Sequence, residues 1–368
     1  VLLGALAASG AVPLRPAAFR AAIEAKGVQV KANLTGFDLG YELASRTGGE
    51  PAATEGGTAA GTAATNGHIA AIPAEGREVA AGFPAALQPV LGQALPRLLD
   101  YQDRAYADRY LERLRPFAAP GADLEVARLV ARHLAVWMTY EDAIRVADLK
   151  TRASRFDRIR AAARTPGAHV TVIDYLKPDL DEIYGILPHR LVAPFARWAE
   201  RRWPHGRPSL EQHVKTTTIA GFLRVWVLAR LRRLRPFSYR AHHEHARMER
   251  WLAAVGRAAA WDPGLAAEIA RAANLVKGYG DVRRRMAGLF DDLVDRGLRA
   301  GEIDAAAGDY RISTALVRRY RQLVLQGPDS EATACALADQ VLARLDAGDR
   351  PGAQALLDAG TGAGTAGR

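Results

Sequence analysis

The chain has 368 residues, 49% of them apolar, and a formal net charge of +10 that comes almost wholly from Arg. This length suits two domains, and the sparse Val, Ile and aromatic residues favour packed helices over sheet. The charge is compatible with nucleic acid, an anionic membrane or an acidic or phosphorylated partner, and equally with an Arg-rich coding bias that implies no partner. A single cysteine, Cys335, excludes an internal disulfide and an iron–sulfur cluster held by this chain alone.

The same features indicate a compartment. The absence of a disulfide framework is typical of the cytoplasm, and we predict a cytoplasmic protein. No stretch has the roughly 18 uninterrupted apolar residues of a membrane span, because the best candidate, residues 219–234, contains Arg224 and Arg230. The apolar opening lacks a basic leader, so we expect neither a signal peptide nor a membrane segment.

The sequence of residues 1–46 predicts short helices. One helix begins near Pro16 and ends before Gly27, and residues 28–32 are compatible with a short strand. Asn33 is expected to cap a further helix. The predicted buried side of that helix consists of Leu34, Phe37, Tyr41 and Leu43.

Composition and periodicity divide residues 47–368 into three parts. Residues 47–80 are rich in Gly, Ala and Thr without a regular period, which predicts a flexible linker. Residues 81–348 predict a large helical domain, and residues 349–368 a disordered tail.

Within the helical domain, residues 169–178 are the one strand-like run. Ser209 and Gln212 resemble a capping box and predict a helix over residues 209–234. Its inner stripe is expected to be Leu223, Val227, Leu231 and Leu234. Further helices are predicted at residues 238–260, 263–276, 281–299, 312–325 and 329–346.

The stretch VKGYGDVRRR, residues 276–285, admits two interpretations. In the first it only separates two helices, with Gly278 or Gly280 in the left-handed conformation, Lys277 in the last turn of one helix and Asp281 capping the next. In the second, the helix N-terminus and the side chains of Lys277, Arg283 and Arg284 bind an anion, with the two glycines shaping the loop. It is not a dinucleotide fingerprint, because it follows a helix and lacks a third glycine.

Two other residue clusters each admit a functional and a purely structural interpretation. His242, His245 and Glu249 share a helical face that suits either a divalent metal or, more simply, solvent. The Arg-rich residues 224–235 form either a solvated face or a docking face for an acidic partner or nucleic acid, and no nucleic-acid-binding motif accompanies them. We predict no metal site, and no nucleophile–base pattern supplies a catalytic residue.

The opening residues carry a resemblance. Leu3, Gly4, Ala5, Leu6, Pro13 and Leu14, followed by Asn33, Phe37 and Gly40, resemble the C-terminal end of the domain shared by gamma-type subunits of 2-oxoacid:ferredoxin oxidoreductases. The resemblance covers about 45 residues. It implies that residues 1–46 are the remnant of an α/β oxidoreductase domain whose glycine-rich front is missing.

A longer region resembles the helical domain, of uncharacterised role, of indolepyruvate oxidoreductase beta-type proteins. The order and spacing of LLDYQDRAYADRYLERL, LPHRLVAPF, TTTIAGFLRVWVLARLRRLRPFSYR and LVKGYGD match it over roughly residues 85–300. The implied architecture is mainly α: an α/β remnant, a linker and a large all-α domain.

The resemblance implies a subunit of an indolepyruvate (aryl-2-oxoacid):ferredoxin oxidoreductase. Such enzymes convert an arylpyruvate and coenzyme A into an arylacetyl-CoA, carbon dioxide and reduced ferredoxin. Thiamine diphosphate and the 4Fe-4S clusters are expected on a partner subunit, so this chain should bind none of them and be inactive alone. Its other expected partners are ferredoxin and an arylpyruvate, and coenzyme A is one ligand for the anion seat. The alternative is a basic helical module that binds an acidic partner or, less in keeping with its motifs, nucleic acid.

Overall fold

The computed structural model describes residues 2–9, 15–26, 30–46, 82–163, 170–204 and 206–359. Helices dominate these residues and only two short strands occur among them, which confirms the predicted mainly α class. The chain divides into two compact units, Val1–Gly67 and His68–Arg368. The predicted linker, residues 47–80, lies outside the described residues. None of the described helices combines the length and apolar composition needed to cross a membrane.

The described residues of the first unit form three helices: α1 (Leu2–Ala8), α2 (Pro16–Lys26) and α3 (Val30–Arg46). Their core is Phe37, which is 2% exposed and stacks on Phe19 with ring centroids 6.0 Å apart. Helix α1 approaches α3 closely at Gly4, where a Cβ atom would lie 1.9 Å from the carbonyl oxygen of Phe37. Only glycine permits this contact.

Three predictions for this unit are wrong. Residues 30–32 belong to α3 and not to a strand, and Asn33 therefore lies inside the helix instead of capping it. A helix satisfies its backbone groups internally, whereas a lone strand needs a neighbour. Tyr41 and Leu43 are exposed, because α3 is covered only along the narrow face around Phe37.

The second unit is a helical domain with one hairpin. Its helices are α4 (Gln88–Tyr101), α5 (Arg104–Leu114), α6 (Leu124–Met138), α7 (Ala143–Thr151), α8 (Ala153–Ala163), α9 (Leu180–Gly185), α10 (His189–Arg202), α11 (Ile219–Arg230), α12 (Tyr239–Ala259), α13 (Pro263–Ala272), α14 (Gly280–Ala305), α15 (Arg311–Gln326), α16 (Glu331–Asp346) and α17 (Arg350–Ala359). A 3-10 segment, Leu231–Phe237, joins α11 to α12.

Side-chain caps fix several of these helix starts. Asp123, Asp142, Thr218, Ser238 and Asp262 each accept a hydrogen bond from a backbone N–H in the first turn. A capping side chain stabilises a helix by about 1 kcal/mol, so the local sequence determines these boundaries.

One extended core joins α4 to α6 with α12 to α17. Trp251 is fully buried at its centre, where its Nε1 donates to the carbonyl of Ile269 at 3.1 Å. Trp137 meets Phe290 edge to face, with ring centroids 5.3 Å apart. Burying rings of this size contributes roughly 1.5–3 kcal/mol each relative to exposure.

The hairpin corrects the prediction of a helix over residues 209–234. Strand β1 (Ile173–Leu176), which was predicted, pairs antiparallel with β2 (Gln212–Lys215), which was not. Ser209 forms a bridge with Asp179 instead of capping a helix. Residues 212–215 have too few apolar positions to signal a strand on their own, and the pairing with β1 determines their conformation.

The predicted tail is also corrected. Residues 350–359 form α17, where Asp349 accepts a hydrogen bond from the N–H of Gly352 at 2.9 Å. Ala353 and Leu357 are buried against the core, and this contact outweighs the Gly-rich, loop-like composition. Residues 360–368 lie outside the described residues.

Candidate functional site

A cavity of about 630 Å³ opens beside the hairpin. We call it the hairpin pocket. It lies between α7, α9, both strands, α11 and the loop before α14. Its lining is mostly apolar and includes Val146, Ile183, Ile186, Val214, Val225 and Leu228. A cavity of this size and polarity suits a small organic ligand.

Buried Asp174 fixes the hairpin as one wall of this pocket. Its carboxylate accepts hydrogen bonds from Lys150 at 2.5 Å, Arg155 at 2.8 Å and Thr216 at 2.9 Å. Burial acts to raise the pKa of Asp174, but the hydrogen bonds from Lys150, Thr216 and Arg155 lower it below its usual value. The ionised carboxylate therefore holds β1 and β2 against α7 and α8.

The predicted KGYGD loop forms the opposite wall. Tyr279, Gly280, Asp281 and Val282 line the pocket, and the Tyr279 hydroxyl donates to Glu141. Gly278 and Gly280 have φ values of +93° and +53°, so positive φ occurs at both glycines where the prediction required it at one of them.

The predicted capping roles of two other loop residues are wrong. Tyr279, not Asp281, is the N-cap of α14, and Asp281 lies in its first turn. The preceding α13 ends at Ala272 and a 3-10 turn extends to Leu275, so exposed Lys277 lies beyond the helix.

The structure separates the residues of the predicted anion seat. Arg283 points to the buried carboxylate of Glu244, with Nη2 2.6 Å from both carboxylate oxygens. Arg284 donates to Asp181 at 2.6 Å and also to Asp281. Both guanidinium groups are therefore neutralised within the chain.

A carboxylate of the chain already lies beside the N-terminus of α14. A Cβ atom on Gly280 would lie 2.2 Å from Oδ2 of Asp179, so that side chain rests directly against the first residue of the helix. Burial and the neighbouring charge of Asp181 raise the pKa of Asp179. An anion from solution would compete with these carboxylates for the helix dipole.

Two charged residues that line the hairpin pocket, Arg240 and Glu182, form no close ion pair with any residue that the structure describes. Arg240 lies with its guanidinium carbon 5.3 Å from the ring centroid of Tyr140, and its nearest carboxylate, Glu244, is 3.7 Å from Nε. Among the described residues, the Arg240 side chain donates no hydrogen bond. Burial raises the pKa of Glu182, with Arg240 opposing the rise and Asp181 and Asp179 adding to it. Sequence periodicity gave no signal for either residue.

The three residues of the candidate metal face, His242, His245 and Glu249, each contact a side chain outside that face. Glu249 accepts from Arg113 at 2.5 Å, and Nδ1 of His245 lies 3.1 Å from another nitrogen of Arg113. His242 instead stacks on His189, with ring centroids 3.9 Å apart. In the part of the chain that the structure describes, no three His, Cys, Asp or Glu side chains are arranged to bind a metal.

The Arg-rich helix does not pack as predicted. Leu223, Val227 and Leu234 are each about half exposed, whereas Val225 is buried against Ala147 and Val214. Helix α11 has apolar residues on several faces, so periodicity alone could not select the buried one. Arg235, expected on the basic face, is 3% exposed and bound to Asp142 at 2.8 Å.

Positive charge is concentrated around these helices. Residues 190–237, which we call the basic segment, contain eleven Lys and Arg but two Asp and Glu, a net charge of +9 out of the chain's +10. Among the described residues, the following arginines of the segment have no carboxylate within ion-pair distance: Arg190, Arg197, Arg201, Arg202, Arg224, Arg230, Arg232 and Arg233. The segment also exposes Leu191 (79%), Ile219 (89%) and Phe237 (68%).

Residues 87–296 match a family of unknown function, DUF6537. The match covers more than half of the 368 residues. The chain belongs to this family. All residues that line the hairpin pocket, Arg283 and Arg284 and the whole basic segment lie within the DUF6537 region, whereas α15 to α17 follow it. No curated protein and no solved structure matches the chain significantly.

Proposed function

We propose that this chain is a subunit of an indolepyruvate (aryl-2-oxoacid):ferredoxin oxidoreductase. The order and spacing of the motifs over about residues 85–300 carry this proposal, and the DUF6537 region, 87–296, spans nearly the same residues. The resemblance of residues 1–46 to the end of the oxidoreductase gamma-type domain is a second, separate support.

In this proposal the chain has an accessory and assembly role. Thiamine diphosphate and the 4Fe-4S clusters belong to a partner subunit, which decarboxylates the arylpyruvate and passes electrons to cytoplasmic ferredoxin. The described residues contain no nucleophile–base pair that would perform this chemistry alone, and Cys335 is the one cysteine of the chain. The role of the helical domain is then to bind partners and small molecules.

The basic segment supplies the surface for the partner subunit. Its unpaired arginines provide long-range attraction to an acidic surface, and its exposed Leu, Ile and Phe side chains provide area to bury. Both properties together suit a protein partner with an apolar centre and an acidic rim.

Reconstitution tests the proposal. The chain, joined to the α/β portion that precedes it in the resembled subunits, is co-expressed with a thiamine-bearing partner. Viologen reduction is followed with indolepyruvate and phenylpyruvate, with and without coenzyme A, against the partner alone. We expect reduction that requires both proteins and coenzyme A. A partner that carries its thiamine and clusters but neither co-purifies with the chain nor reduces viologen would refute the proposal.

The charge of the basic segment also favours a second candidate, a nucleic-acid-binding module. Trp198 and Phe195 are about half exposed, and Trp198 packs edge to face on Trp203, whose ring Arg202 covers. The exposed rings could stack on bases. Retention of the purified chain on DNA with a steep salt dependence, equivalent to several phosphate contacts, would support this candidate. Weak retention without a sequence or strand preference would leave the oxidoreductase proposal as the better one.

A further inference from the structure

We propose that the hairpin pocket binds a small amphiphilic monocarboxylate, with the carboxylate at Arg240 and the apolar body against the hairpin and α11. This inference concerns the helical domain itself and does not depend on the oxidoreductase proposal. Neither the family nor the sequence motifs assign a ligand to this pocket.

The first support is the state of Arg240. Its side chain is 16% exposed, so most of it is removed from water, yet it donates no hydrogen bond to any described residue. Its neighbour Glu244 is already held by Arg283 through two 2.6 Å contacts and by Trp137 at 2.9 Å. The guanidinium donors of Arg240 are therefore open to a ligand, and a carboxylate accepts two of them at once.

The second support is that the other cations of the pocket already have partners. Lys150 is bound to Asp174 at 2.5 Å, Lys177 to Glu211 at 2.8 Å, and Arg224 to the side-chain oxygen of Gln212. Arg224 is exposed and keeps further donors, so Arg240 is the one pocket cation, among the described residues, that is not exposed and has no hydrogen-bonded partner.

The charge of the ligand follows from the remaining pocket residues. Glu141, Asp142, Asp179 and Asp281 also line the cavity and would repel a dianion such as a phosphate monoester. One available guanidinium among these carboxylates suits a single negative charge. Glu182, whose pKa is raised by burial, adds an O–H donor when it is protonated.

The shape and polarity of the pocket define the other end of the ligand. Ile183, Ile186, Val214 and Leu228 offer no polar side-chain atom, so they favour an aliphatic or aromatic body. Tyr279 at the rim adds an aromatic surface and links the ligand site to the KGYGD loop.

Three probes with one shared body test the inference: 3-phenylpropionate, 3-phenylpropan-1-ol and 3-phenylpropylamine. Their affinities for the 368-residue chain are measured by titration calorimetry and by ligand-observed NMR. We expect the acid to bind at least about tenfold more tightly than the alcohol, because the charge-assisted bidentate contact is lost in the alcohol. Equal binding of acid and alcohol, or preferential binding of the amine, would overturn the inference.

Variants locate the site. Arg240→Gln is expected to lose about tenfold in affinity for the acid but not for the alcohol. Leu228→Trp fills the pocket and is expected to abolish binding of both, which provides a second test if Arg240→Gln fails to fold. Leu325→Trp, at an exposed residue that does not line the pocket, is the matched control. Glu182→Gln keeps a donor and should bind the acid at least as tightly as the unchanged chain; unaltered binding in Leu228→Trp would place the ligand elsewhere and refute the inference.

Discussion

Arg283 of α14 and Glu244 of α12 form a buried ion pair across 39 residues of sequence. The guanidinium also donates to the carbonyl of Val276 at 2.9 Å, which ties the KGYGD loop to the same contact. Burial acts to raise the pKa of Glu244, but Arg283 and Arg240 lower it below its usual value. The pair therefore positions the loop wall of the hairpin pocket.

Arg283→Met should destabilise the chain strongly. The variant leaves Glu244 buried with the Trp137 hydrogen bond and, as its one ion pair among the described residues, the longer Arg240 contact. Breaking a buried pair typically costs about 3–5 kcal/mol. Urea unfolding measures the loss, and Arg250→Met, at an exposed pair with Asp291, should cost less than about 1 kcal/mol. Because the folded-state pKa of Glu244 is lowered, its stabilisation is complete above the unfolded pKa and is lost as pH falls through the folded one. The difference between Arg283→Met and the unchanged chain should therefore shrink in acid; a constant difference would contradict this account.

The Arg235–Asp142 pair should show strong coupling. Nε donates to Oδ2 at 2.8 Å, Nη2 donates to Oδ1 at 3.2 Å, and both side chains are 3% exposed. We expect Arg235→Met and Asp142→Asn each to cost about 3–5 kcal/mol and the double variant to cost clearly less than their sum. Urea unfolding of the unchanged chain, the two single variants and the double variant gives the coupling energy of the pair. Additive losses would show that the two side chains stabilise the fold independently, and exposed Arg233→Met serves as the control.

Two glycines of α14 should respond oppositely to alanine. A Cβ atom at Gly288 meets no heavy atom within 4 Å, so Gly288→Ala should gain about 0.5–1 kcal/mol from helix propensity. At Gly301 it would lie 2.9 Å from both Leu265 and Trp261, and Gly301→Ala should lose about 1–3 kcal/mol through overpacking. Thermal unfolding of the two variants tests the packing directly. Higher stability in both variants would mean that Leu265 and Trp261 move to make room for a Cβ atom at Gly301.

Glu182→Gln should stabilise the chain at neutral pH. Burial raises the folded-state pKa of Glu182, so its charged form is disfavoured by folding above that pKa, while the protonated form carries no such penalty. We expect a higher melting temperature for the variant at pH 7–8 and no difference once pH is below the unfolded value of about 4.3. Glu211→Gln, at an exposed residue paired with Lys177, should show no comparable gain at neutral pH. A pH-independent gain in Glu182→Gln would instead reflect altered packing.

The anion-seat prediction can be tested in the reconstituted complex. If coenzyme A phosphate binds beside the KGYGD loop, Lys277→Ala combined with Arg284→Ala should raise its Michaelis constant while the chain stays folded. Lys215→Ala combined with Arg250→Ala changes the same charges elsewhere and should leave the constant unaltered. An unchanged constant in the first variant would leave Arg284 with only its contacts to Asp181 and Asp281.

Features set by residues close in the chain could be predicted from the sequence, whereas features set by distant residues could not. Ser238 and Asp262 begin helices at the expected places because each caps an N–H only three residues away. The hairpin failed as a prediction because Gln212–Lys215 becomes a strand only through β1, some forty residues earlier. Val225 was missed as the buried residue of α11 because the choice of face depends on Ala147 and Val214, which lie on other elements.

The sequence by itself determined the mainly helical class, several helix starts, a left-handed glycine in the KGYGD loop and the Arg-rich composition, since each depends on residues close in the chain. Only the tertiary structure decided which arginines are neutralised and which are available. Arg235 meets Asp142 across 93 residues and Arg283 meets Glu244 across 39, whereas Arg240 keeps its donors beside the hairpin pocket. Charge partners and burial are properties of the folded arrangement, because Coulomb attraction and desolvation depend on distances in space and not on distances along the chain.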